Sequence, residues 1–222
     1  DMVSAMIGRN ICYDAFLDSL VKNCHQAYYC IRGNHEYRGG ASGAFFDLFA
    51  DPEQRSYFAF QHKGIFFILL DSDGDQRDDS VYIEKQIDWL KKTVGSKEFQ
   101  QAEYRVVIAH KPLFLGNQIK KIFNQLSVQE RNSIDLMITG HVHAYAKVLP
   151  GNPLVYAPGN KLDQTEHKQN ESFPQLINDA SGYILVNKDS EKLSVKVFDR
   201  HLKCVDKLLI KRKKSLPNPL KF

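Results

Sequence analysis

The chain has 222 residues, of which 43% are hydrophobic and 25% charged, and carries a formal net charge of +4. That length can bury a real core as one globular domain over 1–222, and the longest apolar run, residues 65–70, is far too short to span a bilayer. The charge excess gathers at Lys207, Lys211, Arg212, Lys213 and Lys214 with no interleaved aromatics, which fits a solvated last strand and tail better than a nucleic-acid site.

In chain order, Phe16, Leu17, Leu20 and Val21 recur at helical spacing and predict an amphipathic helix over 14–22. Residues 27–31 read as a strand running into the polar turn Arg32-Gly33-Asn34-His35-Glu36. Residues 42–49 suit a short Phe-rich helix or turn. Residues 57–70 read as a β-hairpin that turns at His62-Lys63-Gly64, with His62 solvated. The run from Asp71 to Asp75 invites a calcium reading, but Gln76 and Tyr82 stand where an EF-hand loop needs glycine and glutamate, so an acidic surface loop is expected.

Ile83, Ile87, Leu90 and Val94 predict a helix over 82–94, and residues 104–109 a buried strand that ends at His110. A helix over 119–126 follows. Ile134, Leu136, Met137 and Ile138 then form a short strand ending in Gly140-His141-Val142-His143. Strands are expected over 145–149, 154–157, 182–187, 193–198 and 203–211, with a hairpin turn at 188–191. The polar stretch 161–179 reads as a long loop beside the site entrance. Alternating β and α followed by a run of β predicts an α/β fold of two packed mixed sheets with helices outside. The four cysteines form no C-x-x-C pair, which argues against a cysteine zinc site; Cys30, in an apolar strand, reads as a buried thiol. Their number fits a reducing compartment and leaves room for one disulfide in an oxidising one.

The polar residues past these strands are Asn34, His35, His110, His141 and His143. An isolated Gly-His-x-His turn is as easily two solvated histidines as a metal site. Strands running the same way in one sheet would bring all five residues to one edge. Crowded imidazoles carry a solvation cost unless each is hydrogen-bonded or liganded, and imidazole with amide oxygen suits a borderline or hard transition ion such as Mn, Fe, Zn or Ni.

Residues 32–36, Val107-Ile108-Ala109-His110 and Gly140-His141-Val142-His143 resemble, in order, three signatures of the calcineurin-like metallophosphoesterases. Asp1-Met2-Val3 resembles the end of that family's Gly-Asp-x-Val signature. The details are more similar to the purple acid phosphatase branch and its secreted bacterial members. The resemblance implies a four-layer α/β/β/α sandwich and a hydrolase of phosphoric esters with two divalent transition-metal ions. Asp1 would bridge the ions. Asn34, His110 and His141 would complete one ion's protein ligands, and His143 would serve the other. His35 would protonate or stabilise the leaving oxygen. Metal-bound hydroxide would attack phosphorus.

Two departures stand out. The family's Asp-x-His signature is absent and is expected upstream of Asp1, as though the first strand were missing. Ser4 occupies the position of the purple acid phosphatase tyrosine ligand, so no iron–tyrosinate colour is expected. Arg32 and Arg38 flank the His35 turn, either holding substrate oxygens or simply solvated. The competing readings are a non-catalytic metal-binding or scaffolding module and a mononuclear metallohydrolase. The resemblance also favours a periplasmic or secreted location.

Overall fold

The computed structural model describes Met2 and residues 9–38, 43–49, 51–73, 80–151, 155–156 and 171–213. Its larger sheet has seven strands: β1 (Phe58–His62), β2 (Ile65–Leu70), β3 (Tyr104–Ala109), β4 (Leu136–Thr139), β5 (Ala146–Val148), β6 (Val155–Tyr156) and β7 (Gln175–Ile177). Their spatial order is β1-β2-β3-β4-β7-β5-β6. β2, β3, β4 and β7 run parallel, while β1, β5 and β6 are joined antiparallel. β2 reads IFFILL because a central parallel strand is covered on both faces and has no solvent side to make polar. The β1–β2 turn places Lys63 at φ 48° and Gly64 at φ 80°, the left-handed pair that a two-residue hairpin turn needs to match strand twist.

Helices α3 (Ser80–Val94), α4 (Lys97–Gln101) and α5 (Asn117–Phe123) pack on one face of this sheet, and α6 (Val128–Ser133) is flanked by Leu126 and Ile134 of the same core. There Ile83, Ile87, Leu90 and Val94 of α3 meet Ile68, Leu70, Val107 and Met137. The other face, through Ile65, Val106, Leu136 and Leu176, packs on a three-stranded antiparallel sheet of β8 (Tyr183–Lys188), β9 (Lys192–Phe198) and β10 (Cys204–Lys211). Each such side chain buried contributes roughly 1.5–3 kcal/mol, so this inter-sheet core and the helix-facing core dominate the stability. Two further helices, α1 (Arg9–Asn23) and α2 (Ala44–Phe49), pack on each other through Tyr13, Phe16, Leu17, Ala44 and Phe49. The architecture is thus mixed α/β, two sheets flanked by helices. Among the described residues no helix is long and apolar enough to cross a membrane.

The structure departs from the sequence expectations in several places. Residues 27–31 are not a strand, because no described strand pairs with them; Tyr28 and Tyr29 are exposed, and the Tyr29 ring stacks on Phe60 at 4.3 Å. Cys30 is half-buried, and burial, with the Glu36 charge, pushes its thiol up to about 11. The stretch 161–179 is not one loop: β7 lies within it, in the middle of the large sheet, while residues 161–170 lie outside the described residues. Three residues are too few for periodicity to reveal. Helices α4 and α6 also escaped the hydrophobic pattern. They are set by their caps: Ser96 accepts from Phe99 N, and Ser127 and Glu130 form a reciprocal capping box.

Candidate functional site

The parallel strands end at one edge, where loops of open α/β sheets gather their ligands. β2 delivers Asp71, β3 delivers His110, β4 delivers Gly140 and β7 delivers Asn178. The turn at residues 34–37 joins them. Asn34 Oδ1 lies 2.9 Å from His110 Nε2, which lies 3.1 Å from His141 Nδ1. The two rings are 5.0 Å apart and nearly perpendicular, at 77°. Gly140 N donates to His110 O at 2.9 Å and ties the two histidine loops together. His143 is exposed and lines, with His110, His141, Asn178 and Asp179, a cleft of about 180 Å³. His35 is half-buried and close enough for its charge to act on both His110 and His141. Asp1 lies outside the described residues; the next residue, Met2, donates its N–H to Glu36 Oε1 at 2.6 Å.

The β4 loop has unusual backbone geometry. His141 sits at φ 69° and His143 at φ 59°, and Val142 N donates back to Gly140 O at 2.8 Å, closing a three-residue turn about His141. Left-handed conformations cost an L-residue about 1–2 kcal/mol, and such strain gathers where a side chain must be aimed. In metal-free protein, His141→Gly is therefore expected to be more stable than His141→Ala by about 1 kcal/mol, since both lose the imidazole and glycine alone relieves the backbone. Chemical denaturation in the presence of a chelator checks this. An alanine variant as stable as the glycine variant would show that the turn is unstrained.

Burial pushes the His110 pKa down to about 2, helped by the positive charges of His141, Lys111 and His35. Burial likewise lowers His141 to about 4, with Lys111, His143 and His35 adding to it. Both imidazoles are thus neutral at neutral pH, the state in which one ring nitrogen carries a proton and the other a lone pair.

Beneath the cluster lies a buried polar scaffold. Asp71 and Asp73 are fully buried, contrary to the expected acidic surface loop; Gly74 and Asp75 lie outside the described residues. Arg32 is 4% exposed, contrary to both a solvated and a substrate-binding role. Its Nε and Nη2 donate to Asp71 Oδ2 at 2.9 and 2.6 Å. Burial would lower the guanidinium pKa, but the adjacent Asp71 carboxylate outweighs it and raises it. Tyr37 and Ser56 hydroxyls also donate to Asp71, and Gln86 clamps both its backbone N–H and C=O, at 2.9 and 3.0 Å. Asp73 pairs with Lys111, the residue after His110; burial raises its pKa and Lys111 opposes that. Ser72 Oγ donates to Asp73 Oδ2 and accepts from Lys111 N, each at 3.0 Å. Glu36, also fully buried, accepts from Gly33 N at 2.8 Å through its second oxygen. The one sequence cue to this scaffold was that Asp71 follows a six-residue apolar strand without a break. Asn178 was missed with β7, and its buried Oδ1 has no hydrogen-bond partner among the described residues.

Among the described residues, no group of three or more His, Cys, Asp or Glu is placed to hold a metal ion. Asn34 with His110 and His141 nonetheless forms a compact donor set. Ligand atoms about 2.0–2.2 Å from one ion are roughly 2.9–3.5 Å apart, and the observed 2.9 and 3.1 Å separations fit that spacing. One hydrogen on His110 Nε2 must otherwise serve both the Asn34 oxygen and the His141 nitrogen.

The family model described as calcineurin-like phosphoesterase matches residues 4–145, and the chain belongs to that family. Among curated proteins, it is 26% identical over 136 residues to purple acid phosphatase 23 of Arabidopsis thaliana, which covers 53% of this chain and 28% of that protein. Among solved structures, purple acid phosphatase PPD1 of yellow lupin (Lupinus luteus) superposes with a TM-score of 0.52 at 13% identity, over 82% of this chain and 37% of that one. A structure of PhoD matches at a TM-score of 0.44 and 12% identity, over 76% of this chain and 44% of that one. The chain thus spans less than half the length of each of these relatives. The lupin enzyme shares the fold.

Proposed function

We propose that this chain is the catalytic domain of a phosphoester hydrolase with a dinuclear divalent-metal centre. The observation that carries the reading is the junction of Asn34 Oδ1, His110 Nε2 and His141 Nδ1, three atoms able to ligate a metal that converge from three loops at the outlet of the parallel strands. In this reading these three residues hold one ion, His143 serves a second, and Asp1 bridges them. Divalent ions held there would neutralise phosphoryl oxygens and yield a nucleophile from water near neutral pH. Lys111–Asp73 fixes the His110 loop from below, and Glu36 ties the His35 turn to the backbone beside Asp1. His35 holds a proton for the leaving oxygen. The family match and the sequence likeness to a purple acid phosphatase support phosphoric esters as the substrate class.

A second reading, a non-catalytic metal-binding module, has one observation in its favour: the described donors converge on one ion position. One experiment separates the two. The full-length protein, analysed for metal, is assayed with p-nitrophenyl phosphate and bis-p-nitrophenyl phosphate before and after chelation. We expect turnover of at least one ester, lost with the metal and restored by adding it back. Metal-loaded protein that cleaves neither would establish the non-catalytic module.

A further inference from the structure

The outward face of the three-stranded sheet takes no part in the proposed chemistry. Its inward positions, including Ile184, Val186, Leu193, Val195, Val197, Leu208 and Ile210, fill the inter-sheet core. The outward positions alternate with these. Leu209, Leu185 and Tyr183 stand 60%, 45% and 43% exposed. Between them the register sets Lys196 opposite both Leu185 and Lys207, and Lys211 opposite Lys192. Like charges placed directly across a ladder are destabilising. Lys196, Lys207 and Lys211 are exposed and make no ion pair with a described residue. No outward strand position on this face carries a carboxylate; Asp206 of β10 points inward to Tyr145 and Lys147. Lys207 and Lys211, taken from the sequence as part of a solvated basic end, thus join Lys196 on one face with exposed leucines.

We propose that this face docks on an anionic lipid surface. Lysines extend their stems along apolar surface and place their ammonium groups among headgroup phosphates and carboxylates, while Leu185, Leu209 and Tyr183 settle into the headgroup–acyl boundary. A purely polar polyanion would answer the lysines and leave the leucines in water; the lipid interface answers both. Lysine near an anionic membrane contributes roughly fivefold in partitioning, so three act together on the order of 100-fold.

The test is vesicle flotation of the full-length protein with phosphatidylcholine alone and with added phosphatidylserine, at low and high salt. Binding is expected only with phosphatidylserine and only at low salt. Lys196→Gln/Lys207→Gln/Lys211→Gln is expected to lower it about 100-fold while melting no lower than wild type, because the opposed like charges are gone, and Leu185→Ser/Leu209→Ser to lower it about tenfold. Wild-type protein that ignores both vesicles overturns the proposal, as does equal binding with and without phosphatidylserine. So does loss of binding in the lysine variant alone together with competition by polyglutamate or duplex DNA, which would make a polymer the occupant.

Discussion

His35→Ala is expected to lower kcat/KM for phosphate esters by about 10²–10⁴-fold, the usual contribution of a positioned general acid. In the proposed reading His35 is the group suited to this role. It stands in the same turn as Asn34, its charge reaches both His110 and His141, and neither of the two short contacts that join Asn34, His110 and His141 involves it. Metal content should therefore survive the substitution. The loss should also depend on the leaving group, being small for p-nitrophenyl esters, whose phenolate departs unaided, and large for alkyl esters. A uniform loss across that series, or loss of metal, would assign His35 to holding the site together rather than to proton transfer.

Asp71→Asn is expected to destabilise the fold by about 3–5 kcal/mol, because it leaves the Arg32 guanidinium buried beside a neutral amide. The pair is enclosed: Arg32 is 4% and Asp71 0% exposed. For a chain of 222 residues, that corresponds to a fall in Tm of roughly 6–20 °C. Thermal unfolding measures it, and Arg32→Met/Asp71→Asn completes the cycle. The double variant should be more stable than Asp71→Asn alone, since it removes the stranded charge. A single variant within about 1 kcal/mol of wild type would mean that water reaches the pair. Activity should fall with stability, because Asp71 braces the loop whose Ser72 and Asp73 hold Lys111 beside His110.

Local pattern alone carried the hairpin of β1 and β2, the bounds of β3, the helix through Ile83, Ile87, Leu90 and Val94, and the place of His110, His141 and His143 just past a strand. Those features depend on neighbours a few residues apart, and the spacing of apolar side chains records them directly. The register of strands and the burial of charge depend on partners far along the chain. Arg32 and Asp71 are 39 positions apart, and nothing near either one announces the other. β7 enters between β4 and β5 with three residues, and its side chains are buried because of what flanks them. The left-handed backbone at His141 and His143 has no cue in residue type, and it accompanies a loop in which Val142 N turns back to Gly140 O and Gly140 N reaches His110 O. Sequence by itself determined which donors exist and that strands deliver His110 and His141, while Asn34 arrives on a turn with no described strand before it. Tertiary structure decided which donors meet, since strand order sets distance across the sheet, and which acids brace the site, since a carboxylate stays charged in the core only where a cation and hydrogen-bond donors reach it.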